Sequence, residues 1–124
     1  MKNVDFIDSS TGFVIETVKP NGGSKANADI EHYACMIEGM KLLLEVKKPD
    51  CEENESVRKK RLYSYLTKAI RAESGMNRVE FAEWLGIPYR TMQEWEIGRR
   101  LMPDYLLRLI AFKVRSEKDS GNIG

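Results

Sequence analysis

Residues 74–103 read SGMNRVEFAEWLGIPYRTMQEWEIGRRLMP, and the reading of this stretch governs what can be said of the chain around it. Asn77 is a good N-cap and Glu80 stands three residues later, the pattern of a capping box. Phe81, Ala82 and Leu85 then recur at helical spacing on one face, leaving Trp84 half exposed on the other, and Gly86 stops the segment. Pro88 opens a second helix over 88–97, because its fixed φ suits a first helical turn. Met92 and Trp95 turn inward there, Tyr89, Arg90, Gln93 and Glu94 are left outward, and Gly98 ends the helix. Two short amphipathic helices joined by a break at Leu85-Gly86-Ile87 have the outline of a helix-turn-helix.

The flanking segments supply the rest of a helical domain. Upstream, residues 55–73 are expected to form a long helix with Val57, Leu62, Tyr65, Leu66, Ala69 and Ile70 on its apolar face and Gly75 just past its end. Its first turn carries four consecutive cations, Arg58 to Arg61, which read either as a solvated surface or as a contact for a polyanion. Downstream, Pro103 starts a closing helix over 103–117, with Leu106, Leu107, Leu109, Ile110 and Val114 as its apolar face. Residues 119–124 read as a disordered tail.

The first 54 residues read as an extension. A hairpin is expected over 4–18, around the turn-rich run Asp8 to Gly12. A linker follows at 19–27, broken by Pro20, Gly22 and Gly23. Ile30, Tyr33, Ala34, Ile37, Met40 and Leu44 fit one face of a helix over 28–47. Cys35, Met36, Leu42, Leu43 and Val46 widen that face until it needs more than one partner. Gly39 inside such a helix costs about 1 kcal/mol relative to Ala unless a close helix crossing requires it. An acidic break at 48–54, with Pro49, separates this extension from the domain at 55–118.

The chain has 124 residues and a formal net charge of +1, which conceals a polarity. Residues 1–56 carry six Lys and eleven Asp or Glu, a net −5, whereas 57–118 carry fourteen Lys or Arg and seven Asp or Glu, a net +7. Basic charge gathered on the helix-turn-helix half is the footprint of a polyanion binder. No apolar run reaches the length of a membrane span, and MKNVDFIDSS lacks the apolar segment of a secretory signal. Cys35 and Cys51 are too few for a disulfide framework and read as reduced thiols of a cytoplasmic protein. His32 has no further ligands at metal-binding spacing. No phosphate loop, nucleophile–base set or desolvated carboxylate pair stands out, so neither cofactor, metal nor catalysis is expected.

Arg71, Gly75, Phe81-Ala82, Gly86-Ile87, Thr91-Met92, Glu96, Gly98, Arg99-Arg100 and Pro103 stand at spacings that match a known pattern. Through them residues 69–103 resemble the Cro/Xre-type helix-turn-helix family of phage repressors and bacterial regulators. With flanking helices the resemblance covers about 55–117. It implies a mainly α, five-helix-type domain, here with an N-terminal β-hairpin plus helix extension. It also implies that the helix at 88–97 lies in the DNA major groove. Carried over by position, Tyr89, Arg90 and Glu94 fall where base edges are read, with Arg90 suited to guanine and Glu94 to a cytosine amino group. Gln93 flanks them, Thr91 suits a phosphate or a local hydrogen bond, and Arg78 suits a phosphate. Arg71 and Glu96 are implied to form a buried, structural salt bridge.

The resulting expectation is a sequence-specific transcription regulator, a repressor that binds double-stranded DNA as a homodimer in the cytoplasm. The extension is expected to supply the dimer contact. Two other readings fit the same residues. An antitoxin would use the same fold to repress its own operon and residues 1–54 to mask a small basic toxin. An interaction module would keep the fold without binding DNA.

Overall fold

A computed structural model describes residues 13–18, 30–49 and 51–123. Three strands come first, β1 (Phe13–Val18), β2 (Ile30–Ile37) and β3 (Met40–Lys47), followed by four helices, α1 (Glu55–Ser74), α2 (Arg78–Leu85), α3 (Tyr89–Glu96) and α4 (Asp104–Asp119). The strands form one antiparallel sheet in the order β1-β2-β3. The architecture is therefore α+β, which overturns the mainly α, five-helix expectation. The residues expected to form the hairpin before position 13, and those of the 19–27 linker, lie outside the described residues.

The largest correction concerns residues 28–47. These are not a helix but two strands, β2 and β3, joined by a two-residue turn. Inward Tyr33, Cys35 and Ile37, then Met40, Leu42, Leu44 and Val46, are all buried, while Lys41, Leu43, Glu45 and Lys47 alternate outward. That is the period of two of a half-buried strand. Ile37 pairs with Met40, so Glu38 and Gly39 are the turn, with φ of 47° and 82°. Two successive positive φ values characterise the tight hairpin turn that matches strand twist. Gly39 thus serves the turn and not a helix crossing. A Cβ there would also lie 3.0 Å from the Arg115 guanidinium. Glu38 accepts a hydrogen bond from Arg108 Nε at 2.7 Å, which fastens the turn to α4. His32 stands on β2 opposite Glu45 of β3.

The buried face of the sheet and the helices share one core. Ile15, Tyr33, Cys35, Ile37, Leu42, Leu44 and Val46 belong to the same buried cluster as Leu62, Leu66, Ile70, Phe81, Met92, Leu107 and Ile110. α1 packs across β3, and α4 touches β2. The Arg58–Arg61 run is largely taken up in this junction. Arg58 donates to Tyr33 Oη at 2.9 Å, and Lys59 lies 3.8 Å from Asp104. Arg61 binds Glu53 and donates to the Lys47 carbonyl at 3.0 Å. The Tyr33 hydroxyl, held in this network, has its pKa pushed up to about 12, first by burial and then by its hydrogen bond to Glu31.

Each helix begins and ends for local reasons. Asn54 caps α1, accepting from Val57 N at 2.8 Å. Asn77 and Glu80 form a reciprocal capping box at α2, at 2.8 and 3.0 Å. Gly86, with φ of 72°, turns the chain out of α2. Val57 and Leu109, expected on apolar faces, are instead exposed. Of the tail expected to be disordered, residues 119–123 continue from α4, with Asn122 N bonded to the Glu117 carbonyl at 2.9 Å and Ile123 packed on the core. No described helix is long and apolar enough to cross a membrane.

The two cysteines differ sharply. Cys35 lies inside the sheet–helix core, and burial pushes its thiol pKa up to about 12, so the reactive thiolate is suppressed at neutral pH. Cys51 is exposed. Iodoacetamide applied to the native protein is expected to alkylate Cys51 alone, and both residues after denaturation. Equal native labelling rates, read by peptide mass spectrometry, would show that the sheet face is uncovered.

Candidate nucleic-acid interface

α2, a tight turn and α3 follow one another between α1 and α4, and their relative placement rests on one carboxylate. Glu96, at the end of α3, has a fully buried side chain. Arg71 of α1 donates to it through Nε at 2.8 Å and Nη2 at 3.2 Å. Arg78, first residue of α2, donates through Nε at 3.0 Å. Arg71 also reaches the Met76 carbonyl at 3.2 Å, bracing the α1–α2 link. Two guanidinium groups on one carboxylate tie three helices together, with charge-assisted bonds that are stronger than neutral ones.

Arg78 is thus not a free phosphate grip. Its Nη1 also lies 3.5 Å from Tyr89 Oη. Burial works against its charge, but the bonds to Glu96 and Tyr89 outweigh this, so its pKa is raised. Arg78 and Tyr89 are brought together at the joint N-terminal edge of α2 and α3, and Tyr89 remains 43% exposed.

On α3, residues three and four apart share a face. Tyr89, Gln93 and Ile97 form one row, with Arg90 beside it. Arg90 is exposed and Gln93 partly so, and Arg90 has no ion pair among the described residues. Thr91 lies toward the other side of the helix and is half-buried. Glu94 is drawn off by Arg100, whose Nε stands 3.2 Å from the carboxylate. The backbone amides of Arg99 and Arg100 both bond to the Glu94 carbonyl, at 2.9 and 3.3 Å. The acid expected to face bases is therefore compensated within the α3–α4 turn.

Behind this face Met92 and Trp95 are buried, and Trp95 Nε1 has no hydrogen-bond partner among the described residues. Phe81 stacks on Trp84 with centroids 6.0 Å apart, and the Lys113 ammonium sits 4.5 Å from the Trp84 ring.

Sequence reasoning missed two sets of cations. Arg100 was visible as half of the basic pair after Gly98, but its role depends on the fold of the turn. Lys47, Lys48 and Lys68 line a groove of about 500 Å³ beside Arg78 and the end of α3. Nothing in the sequence places β3 against α1, so this grouping had no signal. Among the described residues no group of three His, Cys, Asp or Glu side chains is placed to hold a metal ion. Comparison with family models, curated proteins and solved structures gave no match.

Glu96→Gln is expected to destabilise the fold. Breaking a buried ion pair by removing one partner costs about 3–5 kcal/mol. Arg71 and Arg78 keep some contact with water, at 22% and 28% side-chain exposure, which favours the low end of that range. Urea denaturation checks this, and a change under about 1 kcal/mol would mean the two arginines find other partners.

Proposed function

We propose that the chain is a sequence-specific DNA-binding regulator of transcription, acting as a cytoplasmic repressor of the Cro/Xre type. The observation that carries this reading is the outward face of α3. It offers Tyr89, Arg90 and Gln93 to solvent, with Arg90 in no ion pair among the described residues, while the acid beside them, Glu94, is held by Arg100. A short helix that presents an exposed guanidinium and an amide suits the major groove, where Arg pairs bidentately with guanine and Gln with adenine. Arg78 acts here chiefly by holding Glu96 and Tyr89, so that Tyr89 enters the groove edge in one orientation. Thr91 is the weakest of the candidate contacts, since it lies toward the far side of α3.

One recognition helix reads few base pairs, and pairing of two copies on a two-fold site doubles the sequence read. α4 offers a surface for this. Tyr105, Leu109 and Phe112, spaced four and three, are 67%, 60% and 51% exposed. The row is apolar, lies on one helix face, and stands apart from α3 in sequence.

Arg90→Ala is expected to relax preference at one base position and to weaken binding by about 1–3 kcal/mol. Selection of bound duplexes from a random pool, followed by titration of the best sequence, reads both effects. Unchanged preference and affinity would exclude α3 as the reader. For the dimer, the Leu109→Glu, Phe112→Glu double variant is expected to sediment as a monomer under conditions where the parent chain sediments as a dimer. A variant that remains dimeric would exclude α4 as the contact.

A further inference from the structure

The groove beside α3 has no part in the base contacts proposed above. Its lining takes Lys47 and Lys48 from the end of β3 and the residue after it, Arg61 and Lys68 from α1, Arg78 from α2, and Ile97 and Gly98 from the end of α3. Its charges are of two kinds. Arg61 is bound to Glu53 and Arg78 to Glu96, so both arginines are committed to carboxylates. Lys47, Lys48 and Lys68 have no ion pair among the described residues. Lys68 rests its ammonium 4.5 Å from the Tyr65 ring, an arrangement that positions the cation without neutralising it. Five cations face two carboxylates on the described walls.

A discrete small anion is held best by converging forked donors, and the arginines that would supply them are occupied. Three lysines on the lining of one open groove, none tied to a carboxylate among the described residues, instead suit a ligand whose negative charge repeats along its length. The groove meets α3 at its C-terminal end, through Glu96, Ile97 and Gly98, and Arg78, which also lines it, links it to Tyr89 at the start of that helix. We infer that this groove carries the phosphate backbone of DNA flanking the site read by α3, so that the end of β3 makes a second DNA contact. The inference rests on the proposed DNA reading. It gives the sheet a function: the end of β3 is fastened to α1 through the Lys47 backbone, whose N lies 3.4 Å from Tyr65 Oη and whose carbonyl accepts from Arg61, and Lys48 follows directly after.

The test uses the full chain and the duplex selected above, in a long form with flanking sequence and in a form trimmed to the selected base pairs. Binding is titrated by fluorescence anisotropy over a series of salt concentrations. Lys47→Gln, Lys48→Gln, Lys68→Gln is compared with the parent chain. A second variant, Lys47→Gln, Lys48→Gln, leaves Lys68 on the Tyr65 ring and decides the matter if the triple variant melts early by circular dichroism. On the long duplex the plot of log affinity against log salt is expected to become shallower by about 0.9 for each phosphate that is no longer neutralised, about two to three for the triple variant. Base preference is expected to stay unchanged, and on the trimmed duplex parent and variants should bind alike. Parent-like slopes on the long duplex, with Arg90→Ala still relaxing base preference, would overturn the groove inference and leave the reader standing. Equal weakening on both duplexes would overturn the flanking placement. A parent chain that selects no sequence and is indifferent to Arg90→Ala would overturn the DNA reading, and the groove with it.

Discussion

The Glu96 carboxylate is the constraint on which the helical half depends. It is wholly withdrawn from water, so it requires compensation at close range, and the compensation comes from α1 through Arg71 and from α2 through Arg78. Neither helix can rotate or slide without stranding charge. Apolar packing through Phe81, Ala82, Met92 and Ile70 is non-directional and would tolerate more than one arrangement of α1, α2 and α3. The forked geometry of two guanidinium groups selects one. The same arrangement fixes the side from which Arg90 and Gln93 project.

The sheet is not an appendage to this unit. Its inner side chains and those of α1 and α4 form a single buried cluster. Leu42, Leu44 and Val46 lie in the same buried cluster as Leu62 and Leu66 of α1, the helix that packs against β3. The acidic character of residues 1–56 therefore says little about where the sheet meets a partner. At the end of β3 the local charge is that of Lys47 and Lys48.

The elements α1 to α4 were largely legible because their boundaries are written in residues with strong local preferences: Asn54, Asn77 with Glu80, Gly86, and the prolines at 88 and 103. β2 and β3 were not. Ile30, Tyr33, Ala34, Ile37, Met40 and Leu44 satisfy a helical period, while Tyr33, Cys35, Ile37 and Met40, Leu42, Leu44, Val46 satisfy a period of two, so apolar spacing alone could not separate them. The deciding pair, Glu38-Gly39, lacks the Asn or Asp that usually announces such a turn. Within the candidate interface, Tyr89, Arg90 and Gln93 could be placed from helical geometry. The compensation of Glu94 by Arg100, the double duty of Arg78 and the lysine groove all depend on segments brought together by the fold.

The Glu38–Arg108 bond joins residues 70 positions apart. The β2–β3 hairpin and the α2–α3 pair consist of near neighbours in the chain and can close quickly. The bond between the hairpin turn and α4 must wait for the intervening loop to be gathered, because closing so long a loop carries an entropic cost that only the assembled core offsets. During synthesis α4 is the last described element to leave the ribosome, so the hairpin emerges well before the helix that anchors its turn. Until then its apolar face is covered only in part by α1, which leaves a period in the life of each new chain when the hairpin is open to other chains.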